Sequence, residues 1–194
     1  TLKISEGISG FANSAIWLIV GAFLFSRGFI KTGLGKRIAY NLISAFGSSS
    51  LRLAYALALS DLILAPATPS NTARVGGVIM PITTSLAKAF GSEPQDGPRK
   101  IGSFLMQSIY QVNTITSAMF QTSMAGNTLV AALALQSFGI GNTWGDWAMA
   151  AIVPGIIALI IMPYFIYKVY PPEIKDAREA QQMIREELKG LGKM

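Results

Sequence analysis

Two short polar runs interrupt an otherwise apolar sequence, and both end in the same dipeptide. The run 68–72 ends in Asn71-Thr72, and the run 121–128 ends in Asn127-Thr128. An apolar segment follows each run, so each is predicted to place the N-terminus of a helix at the interruption. Free N–H groups and the helix dipole attract anions there, whereas unwound carbonyl and hydroxyl groups can bind a small cation. We therefore predict an anion site at these two breaks, with oxygen ligands for a cation nearby.

Arg74 lies one helical turn after Ser70, inside an apolar segment. An arginine at membrane depth is costly and is usually paired or functional. One interpretation is a fixed cation that counters the charge of an anionic substrate. The alternatives are a pair with Asp61, the nearest acid in sequence, or a side chain that extends to the membrane surface. A role of Asp61 in handling protons or cations, or a pair with Arg52, also stays open.

The distribution of charge predicts an all-α integral membrane protein. Charged residues make up 13% of the 194 residues, against roughly 25% in an ordinary soluble domain. No charged residue lies between Lys100 and Asp146, and the stretches 7–26 and 147–167 are also uncharged. A helix that crosses the bilayer core needs about 20 apolar residues, and these stretches supply them. The net charge of +6 is then assigned to loops that set orientation, so no nucleic-acid partner is expected.

The composition also argues against an enzyme. Cysteine and histidine are absent, which excludes disulfides, zinc sites built on Cys and His, and nucleophilic triads that need histidine. A Ser70–Lys88 dyad fails because the two residues would lie about 27 Å apart along one helix. An aspartyl pair of Asp61 and Asp146 fails because Asp146 is predicted in an exterior loop. No catalytic residue is therefore assigned.

Four segments must position the two breaks. Two half-length apolar runs flank a polar, proline-containing tip, which is typical of a re-entrant hairpin that avoids unpaired backbone in lipid. Lys and Arg residues fall on one side only if this hairpin enters and leaves the membrane there, so it is predicted to open to the cytoplasm. The segments are a scaffold span and interfacial helix (1–50, with the amphipathic helix at 34–46), the hairpin (51–90), a helix broken near 122–127 with a following span (99–170), and a cytoplasmic amphipathic helix (171–194).

The run Ala65–Gly77, with Ser70-Asn71-Thr72 at its centre, resembles the Ser-Asn-Thr hairpin of the divalent anion/sodium symporter family. The likeness is greatest to the branch of 2-oxoglutarate/malate translocators and citrate/succinate exchangers. It extends to residues 31–39, 117–127 and 171–175, so it covers essentially the whole chain. The resemblance implies a fragment from the first half of an inverted-repeat transporter, usually a homodimer with elevator-like movement. It further implies a bacterial inner membrane, or a plastid inner envelope if the source is eukaryotic.

The resemblance also implies roles for individual residues. In that family, the Asn and Thr that correspond to Asn71 and Thr72 contact a substrate carboxylate. Ser70 and Asn71, with the backbone of Ser123 to Gly126, correspond to a sodium site. The candidate substrate-binding residues are therefore Ser70, Asn71, Thr72, Arg74, Asn127 and Thr128, and the candidate sodium ligands are Ser70, Asn71, Ser123 and Gly126.

Two departures from the sodium-coupled members favour exchange over symport. Pro66 stands where those members commonly have a second serine, and the helix break lacks their Gly-Thr-Pro-Pro-Asn sequence. Arg74 would then take the place of sodium. Because an empty site with an unpaired charge is unfavourable, the carrier would cross back only with a substrate bound. We expect exchange of di- or tricarboxylates such as 2-oxoglutarate, malate, succinate or citrate across the lipid bilayer, with no cofactor except, in the alternative, Na⁺. The alternatives are sodium-coupled symport of a dicarboxylate or sulfate, a channel, and a structural membrane subunit.

Overall fold

The computed structural model describes residues 3–12 and 14–191, and these residues form helices joined by short connections. Residues 1, 2, 13 and 192–194, which belong to the predicted segments 1–50 and 171–194, lie outside the described residues. The described part of the chain contains no β-strand, only an isolated antiparallel bridge between Ser49 and Asp176. This architecture confirms the predicted all-α class.

The first helices precede the hairpin in the chain. Helix α1 (Ile4–Gly7) and a 3₁₀ turn (Ser9–Ala12) precede α2 (Ser14–Lys31) and α3 (Leu34–Phe46). Helices α2 and α3 contact the hairpin. Gly33 joins α2 to α3 with φ 70°, a left-handed conformation that glycine adopts without steric cost. Helix α3 has the bounds that its amphipathic spacing predicts, and it buries Ala39, Tyr40 and Ile43.

Two arms flank the polar tip of the predicted hairpin. Helix α4 (Ser50–Leu64) ends in a 3₁₀ turn (Ala65–Ala67), and the second arm begins with α5 (Asn71–Arg74). A π-helical turn (Val75–Ile79) then leads directly into α6 (Met80–Ala89), with the Met80 N–H donating to the Val75 carbonyl. Pro81 follows this turn, and in a regular α-helix its ring would press on the carbonyl of Gly77. The wider π turn relieves that contact.

The second half of the chain contains a helix that is interrupted. Helix α7 (Gly102–Met119) stops at a 3₁₀ turn (Gln121–Ser123), and α8 (Ala125–Phe138) restarts beyond it. Phe120 and Met124 are extended on either side of the turn, with φ of −128° and −149°. Helix α9 (Trp144–Val169) begins with a capping box of Thr143 and Asp146.

Helix α10 (Arg178–Gly190) occupies only part of the predicted segment 171–194, because residues 171–177 form an extended strap. The strap attaches by backbone hydrogen bonds to the two connections it crosses. Glu173 and Ile174 donate to the carbonyls of Arg99 and Lys100, and Ser50 donates to the carbonyl of Lys175. Helix α10 then packs on α3 through Ala180 and Ile184.

The core lies where α3, α4, α6, α7 and α10 meet, and it includes Leu57, Ile79, Phe104 and Ile184. A smaller cluster of Ala58, Val112, Met119 and Leu159 lies near the helix break. Among the described residues, Ser50–Ala67 and Trp144–Val169 are long and apolar enough to cross a membrane. Helix α9 leaves Ile152, Ile157 and Ile161 exposed, as expected for a face covered by lipid.

Candidate functional site

The hairpin tip combines a capped helix end with exposed polar side chains. Ser70 is extended (φ −132°), and its Oγ accepts a hydrogen bond from the Ala73 N–H at 3.1 Å, which is the usual geometry of an N-cap serine. Asn71 Oδ1 accepts from the Thr72 N–H at 2.9 Å. Asn71 is half-buried and Thr72 is exposed. Within the described residues, the Asn71 Nδ2 group has no hydrogen-bond acceptor, so it remains available at the tip.

Polar side chains from the helix break donate hydrogen bonds to its free backbone carbonyls. Asn127 Nδ2 donates to the carbonyl oxygens of Ser117 and Phe120 at 2.7 and 3.0 Å. The Ser123 hydroxyl lies within hydrogen-bond distance of the same two carbonyls. Thr128 Oγ1 donates to the Gln121 carbonyl at 3.2 Å. The carbonyls of Ser117 and Phe120 lie at the end of α7, and that of Gln121 lies in the 3₁₀ turn. Side chains therefore supply the hydrogen-bond donors that the interrupted helix lacks.

The two breaks contact each other. The Thr122 hydroxyl in the helix break donates to the Pro66 carbonyl in the hairpin turn at 2.7 Å. Trp144 at the start of α9 donates from Nε1 to Thr122 Oγ1 at 3.0 Å, and its ring stacks on Phe120 with centroids 5.7 Å apart. Trp147 Nε1 donates to the Ala118 carbonyl at 2.9 Å. The hairpin turn, the helix break and the first turn of α9 therefore form one connected region.

Arg74 joins the same two breaks from inside. Its side chain is 0% exposed, and Nη1 donates to the carbonyl oxygens of Thr68 and Ser123, each at 3.1 Å. Nε donates to Asp61 Oδ1 at 2.8 Å. Nη2 lies 3.0–3.2 Å from three side-chain oxygens of α7, those of Asn113, Thr116 and Ser117. All five N–H groups of a guanidinium thus have protein acceptors.

Asp61 supplies the opposite charge on the other arm of the hairpin. Its side chain is 2% exposed. One carboxylate oxygen accepts from Arg74, and the other accepts a hydrogen bond from the Thr116 hydroxyl. Of the interpretations that the sequence leaves open, this geometry favours the Asp61–Arg74 pair. A buried pair of this kind is stable only when further hydrogen bonds satisfy both groups, and here α7 provides them.

The predicted substrate residues therefore fall into two groups. Ser70, Asn71 and Thr72 lie at the tip, with Asn71 and Thr72 open to a ligand. Arg74 is enclosed, and Asn127 and Thr128 direct their donors at the backbone of the break. Direct contact of these last three residues with a substrate stays a prediction, which the side-chain directions in this conformation do not favour.

The predicted sodium ligands do not fit a sodium ion well. Ser70 Oγ caps the helix, and Asn71 Oδ1 accepts from the Thr72 N–H. The Ser123 carbonyl accepts from Arg74, so a sodium ion on that oxygen would lie within a few ångströms of a fixed positive charge. Gly126 lies in the first turn of α8, beyond the 3₁₀ turn.

Sequence reasoning missed several members of this region. Ser117 carries no periodic signal that separates it from other buried serines. Trp144 and Trp147 are not among the predicted site residues, yet their indole N–H groups donate hydrogen bonds at the helix break. The π turn had a signal in the pair Gly76-Gly77 placed before Pro81.

Comparison with known proteins gives a consistent family. The model of the sodium:sulfate symporter transmembrane region matches residues 1–194. The chain is 49% identical to "Dicarboxylate transporter 1, chloroplastic" of Spinacia oleracea over 100% of this chain and 34% of that protein. It is 50% identical to "Inner membrane protein YbhI" of Escherichia coli strain K12, over 89% of this chain and 36% of that protein. It is 40% identical to "L-tartrate/succinate antiporter" of E. coli strain UTI89, over 98% of this chain and 39% of that protein.

The chain thus spans between about a third and two fifths of the length of these relatives. The family match covers both helix interruptions, the hairpin from α4 to α6, and residues 171–177 with α10. The helical architecture and the apolar spans agree with a protein that lies within a membrane. The chain is an integral membrane protein and belongs to the sodium:sulfate symporter family, which the sequence resemblance describes as divalent anion/sodium symporters.

Proposed function

We propose that the full-length carrier containing this chain exchanges di- or tricarboxylate anions across a membrane by alternating access. The observation that carries the proposal is the Arg74 guanidinium. It donates hydrogen bonds to the carbonyls of Thr68 and Ser123, one at each helix interruption, beside the exposed polar tip of the hairpin. Relatives named as a dicarboxylate transporter and an L-tartrate/succinate antiporter support the substrate class. The substrates would be of the 2-oxoglutarate, malate, succinate or citrate type.

The hairpin tip would hold one carboxylate of the substrate. Asn71 Nδ2 and the Thr72 hydroxyl lie at the N-terminus of an arm that continues to Ala89 without leaving helical geometry. An anion at this end is stabilised by the helix dipole as well as by hydrogen bonds from these side chains. Ser70 contributes indirectly, because its cap on the Ala73 N–H fixes where the helix begins.

Arg74 supports exchange for a reason that differs from the one the sequence suggests. An unpaired arginine would penalise the empty carrier, but Asp61 neutralises Arg74 in the structure. The support comes instead from the carbonyls of Thr68 and Ser123, which Arg74 already bridges. Because a tethered cation joins the two breaks, the carrier needs no dissolved cation to complete its site. Sodium-coupled symport is the competing outcome.

The remaining expectations follow the family. A homodimer of inverted repeats with elevator-like movement is proposed for the full-length protein. A bacterial inner membrane or a plastid inner envelope is the proposed location, and relatives named as inner membrane and chloroplastic proteins support it. Residues 1–194 alone are expected to show no transport, because the relatives are between two and three times longer.

The test uses the full-length protein in proteoliposomes that are either loaded with unlabelled malate or left empty, with and without a sodium gradient. We expect uptake of labelled succinate to require internal malate and to be the same with and without sodium. Uptake into empty vesicles driven by sodium would overturn exchange in favour of symport. A lack of uptake of any di- or tricarboxylate would overturn the substrate class.

A further inference from the structure

The Arg74 guanidinium lies in a cage of oxygen atoms from four segments of the chain. Asp61 belongs to α4, Thr68 to the hairpin turn and Ser123 to the helix break. Side chains of α7 complete the cage through Asn113, Thr116 and Ser117. The Asp61 carboxylate is the charged member of this set, so it balances the buried guanidinium.

We propose that Asp61 is a positioning residue that holds Arg74 on the carbonyl oxygens of Thr68 and Ser123, and thereby fixes the hairpin turn against the helix break. The inference rests on the proposed function, because it assigns Asp61 a role in maintaining the geometry of the proposed carboxylate site. Asp61 itself touches no substrate, since its side chain is 2% exposed and both of its oxygens are bonded within the chain.

The geometry explains how one carboxylate sets the direction of the whole guanidinium. Nε and Nη2 donate from the same edge of the planar guanidinium, and this edge faces Asp61 and Thr116, with 2.8 Å between Nε and Asp61 Oδ1. The Thr116 hydroxyl donates to the second Asp61 oxygen and accepts from Arg74 Nη2. This closed ring of three side chains leaves Nη1 directed at the two break carbonyls.

The charge of Asp61 matters as much as its shape. A guanidinium enclosed by neutral oxygens has lost its water without gaining a counter-charge, and such a state is strongly unfavourable. Without Asp61, Arg74 would therefore turn toward water or toward an anion. The carbonyls of Thr68 and Ser123 would then be unpaired, and Thr122 would be the remaining side-chain link between the breaks that the structure describes.

Chemical rescue separates this role from that of a merely structural ion pair. Arg74→Ala leaves an oxygen-lined space that contains one carboxylate, and its natural complement is a planar cation rich in N–H donors. Free guanidinium has the same head group as arginine without the tether. We expect it to bind Arg74→Ala only while Asp61 supplies the carboxylate.

The experiment compares the full-length wild type, Arg74→Ala, and the double variant Asp61→Asn/Arg74→Ala. Guanidinium chloride is added far below denaturing concentrations, and both the melting temperature and the rate of succinate exchange are measured. Ser108→Ala is the matched control, because Ser108 is a buried α7 serine that donates to Phe104 outside the cage. We expect Arg74→Ala to lower exchange by about tenfold or more, and guanidinium to raise its melting temperature and restore exchange. Neither effect is expected in the double variant, the wild type or the control.

Equal rescue with and without Asp61, or no rescue of a folded Arg74→Ala protein, would overturn the proposal. If Arg74→Ala does not fold, Asp61→Glu and Asp61→Asn are compared with Arg74 in place. We then expect the carboxylate to preserve more exchange and a higher melting temperature than the amide, and equal losses would overturn it. The melting temperatures need no substrate, so they still test Asp61 if the wild type fails to transport carboxylates.

Discussion

Two arginine–aspartate pairs in this chain have opposite surroundings. Arg74 and Asp61 join the two arms of the hairpin with exposed fractions of 0% and 2%, whereas Arg178 and Asp176 at the start of α10 are 74% and 55% exposed. Water solvates the second pair, so forming it changes the free energy little. The first pair is buried and takes its hydrogen bonds from protein groups. The same two residue types therefore connect the hairpin to the helix break in one place, and form an exposed pair of little energetic weight at the start of α10 in the other.

The two regions also differ in what holds them in place. The strap 171–177 attaches through backbone hydrogen bonds, such as that from Ala177 to the Ser48 carbonyl at 3.2 Å. Such bonds survive most side-chain substitutions. Each break contains only a single 3₁₀ turn, so side chains such as Asn127 and Arg74 supply further hydrogen bonds to its carbonyls. We therefore expect substitutions at the two breaks to lower stability more than substitutions in residues 171–190.

The largest effect is expected from Asp61→Asn. The amide keeps the shape of the side chain but removes the carboxylate that balances Arg74, and breaking a buried pair in this way costs about 3–5 kcal/mol of unfolding free energy. Thermal or denaturant unfolding of the full-length protein in detergent measures the change. Asp61→Asn/Arg74→Met, which removes both charges, is expected to recover part of this loss. A stability close to that of the wild type for Asp61→Asn would show that the pair does not bear on the fold.

A smaller effect is expected from Asn127→Leu. The substitution keeps a similar volume but removes the Nδ2 donor to the carbonyls of Ser117 and Phe120. We expect a loss of about 1–3 kcal/mol, the cost of leaving a buried polar group unsatisfied. Thr128→Val serves as the comparison, since Thr128 makes one longer bond to the Gln121 carbonyl at the same break. If the two variants melt together, the Ser123 hydroxyl satisfies these carbonyls without help from Asn127.

Arg185→Ala tests the attachment of α10 to the end of α3. Arg185 Nε and Nη2 donate to the Ser44 carbonyl at 3.1 and 2.9 Å, and Gln181 donates to the same oxygen at 2.8 Å. A cation near the last turn of a helix contributes about 0.3–1 kcal/mol, and Gln181 remains in the variant. We therefore expect a small drop in melting temperature and slightly faster proteolysis in and around α10. A loss as large as that of Asp61→Asn would reverse the ranking of the two regions.

The smallest effect is expected from Asp176→Asn. Hydrogen bonds from Arg178 hold the pKa of Asp176 below its usual value, but both groups are exposed. The contribution of this depressed pKa is present above the ordinary carboxyl pKa and is lost as pH falls through the lowered value. Near neutral pH we expect a change in melting temperature of less than about 1 °C, with none in acid. A difference that grows as the pH falls would contradict this sign.

The sequence predicts local features better than long-range partners. The amphipathic spacing of 34–46 gives the bounds of α3, and the polar residues near 122–127 indicate where α7 stops. These predictions depend on neighbours in the chain. The Asp61–Arg74 pair could be proposed because Asp61 is the acid nearest to Arg74 in sequence. The contacts of Arg74 with Asn113 and Ser123 could not, because helical periodicity shows which face is polar and not which helix packs against it.

We propose that Arg74 replaces a dissolved cation at the two breaks, and substrate binding with and without sodium distinguishes the two possibilities. The affinity of the purified full-length protein for succinate is measured by titration calorimetry in choline buffer and in sodium buffer of equal ionic strength. The account predicts binding of equal affinity in both buffers, because the bridge between Thr68 and Ser123 belongs to the chain. Binding that appears only in sodium would contradict the account and would return a sodium ion to the break.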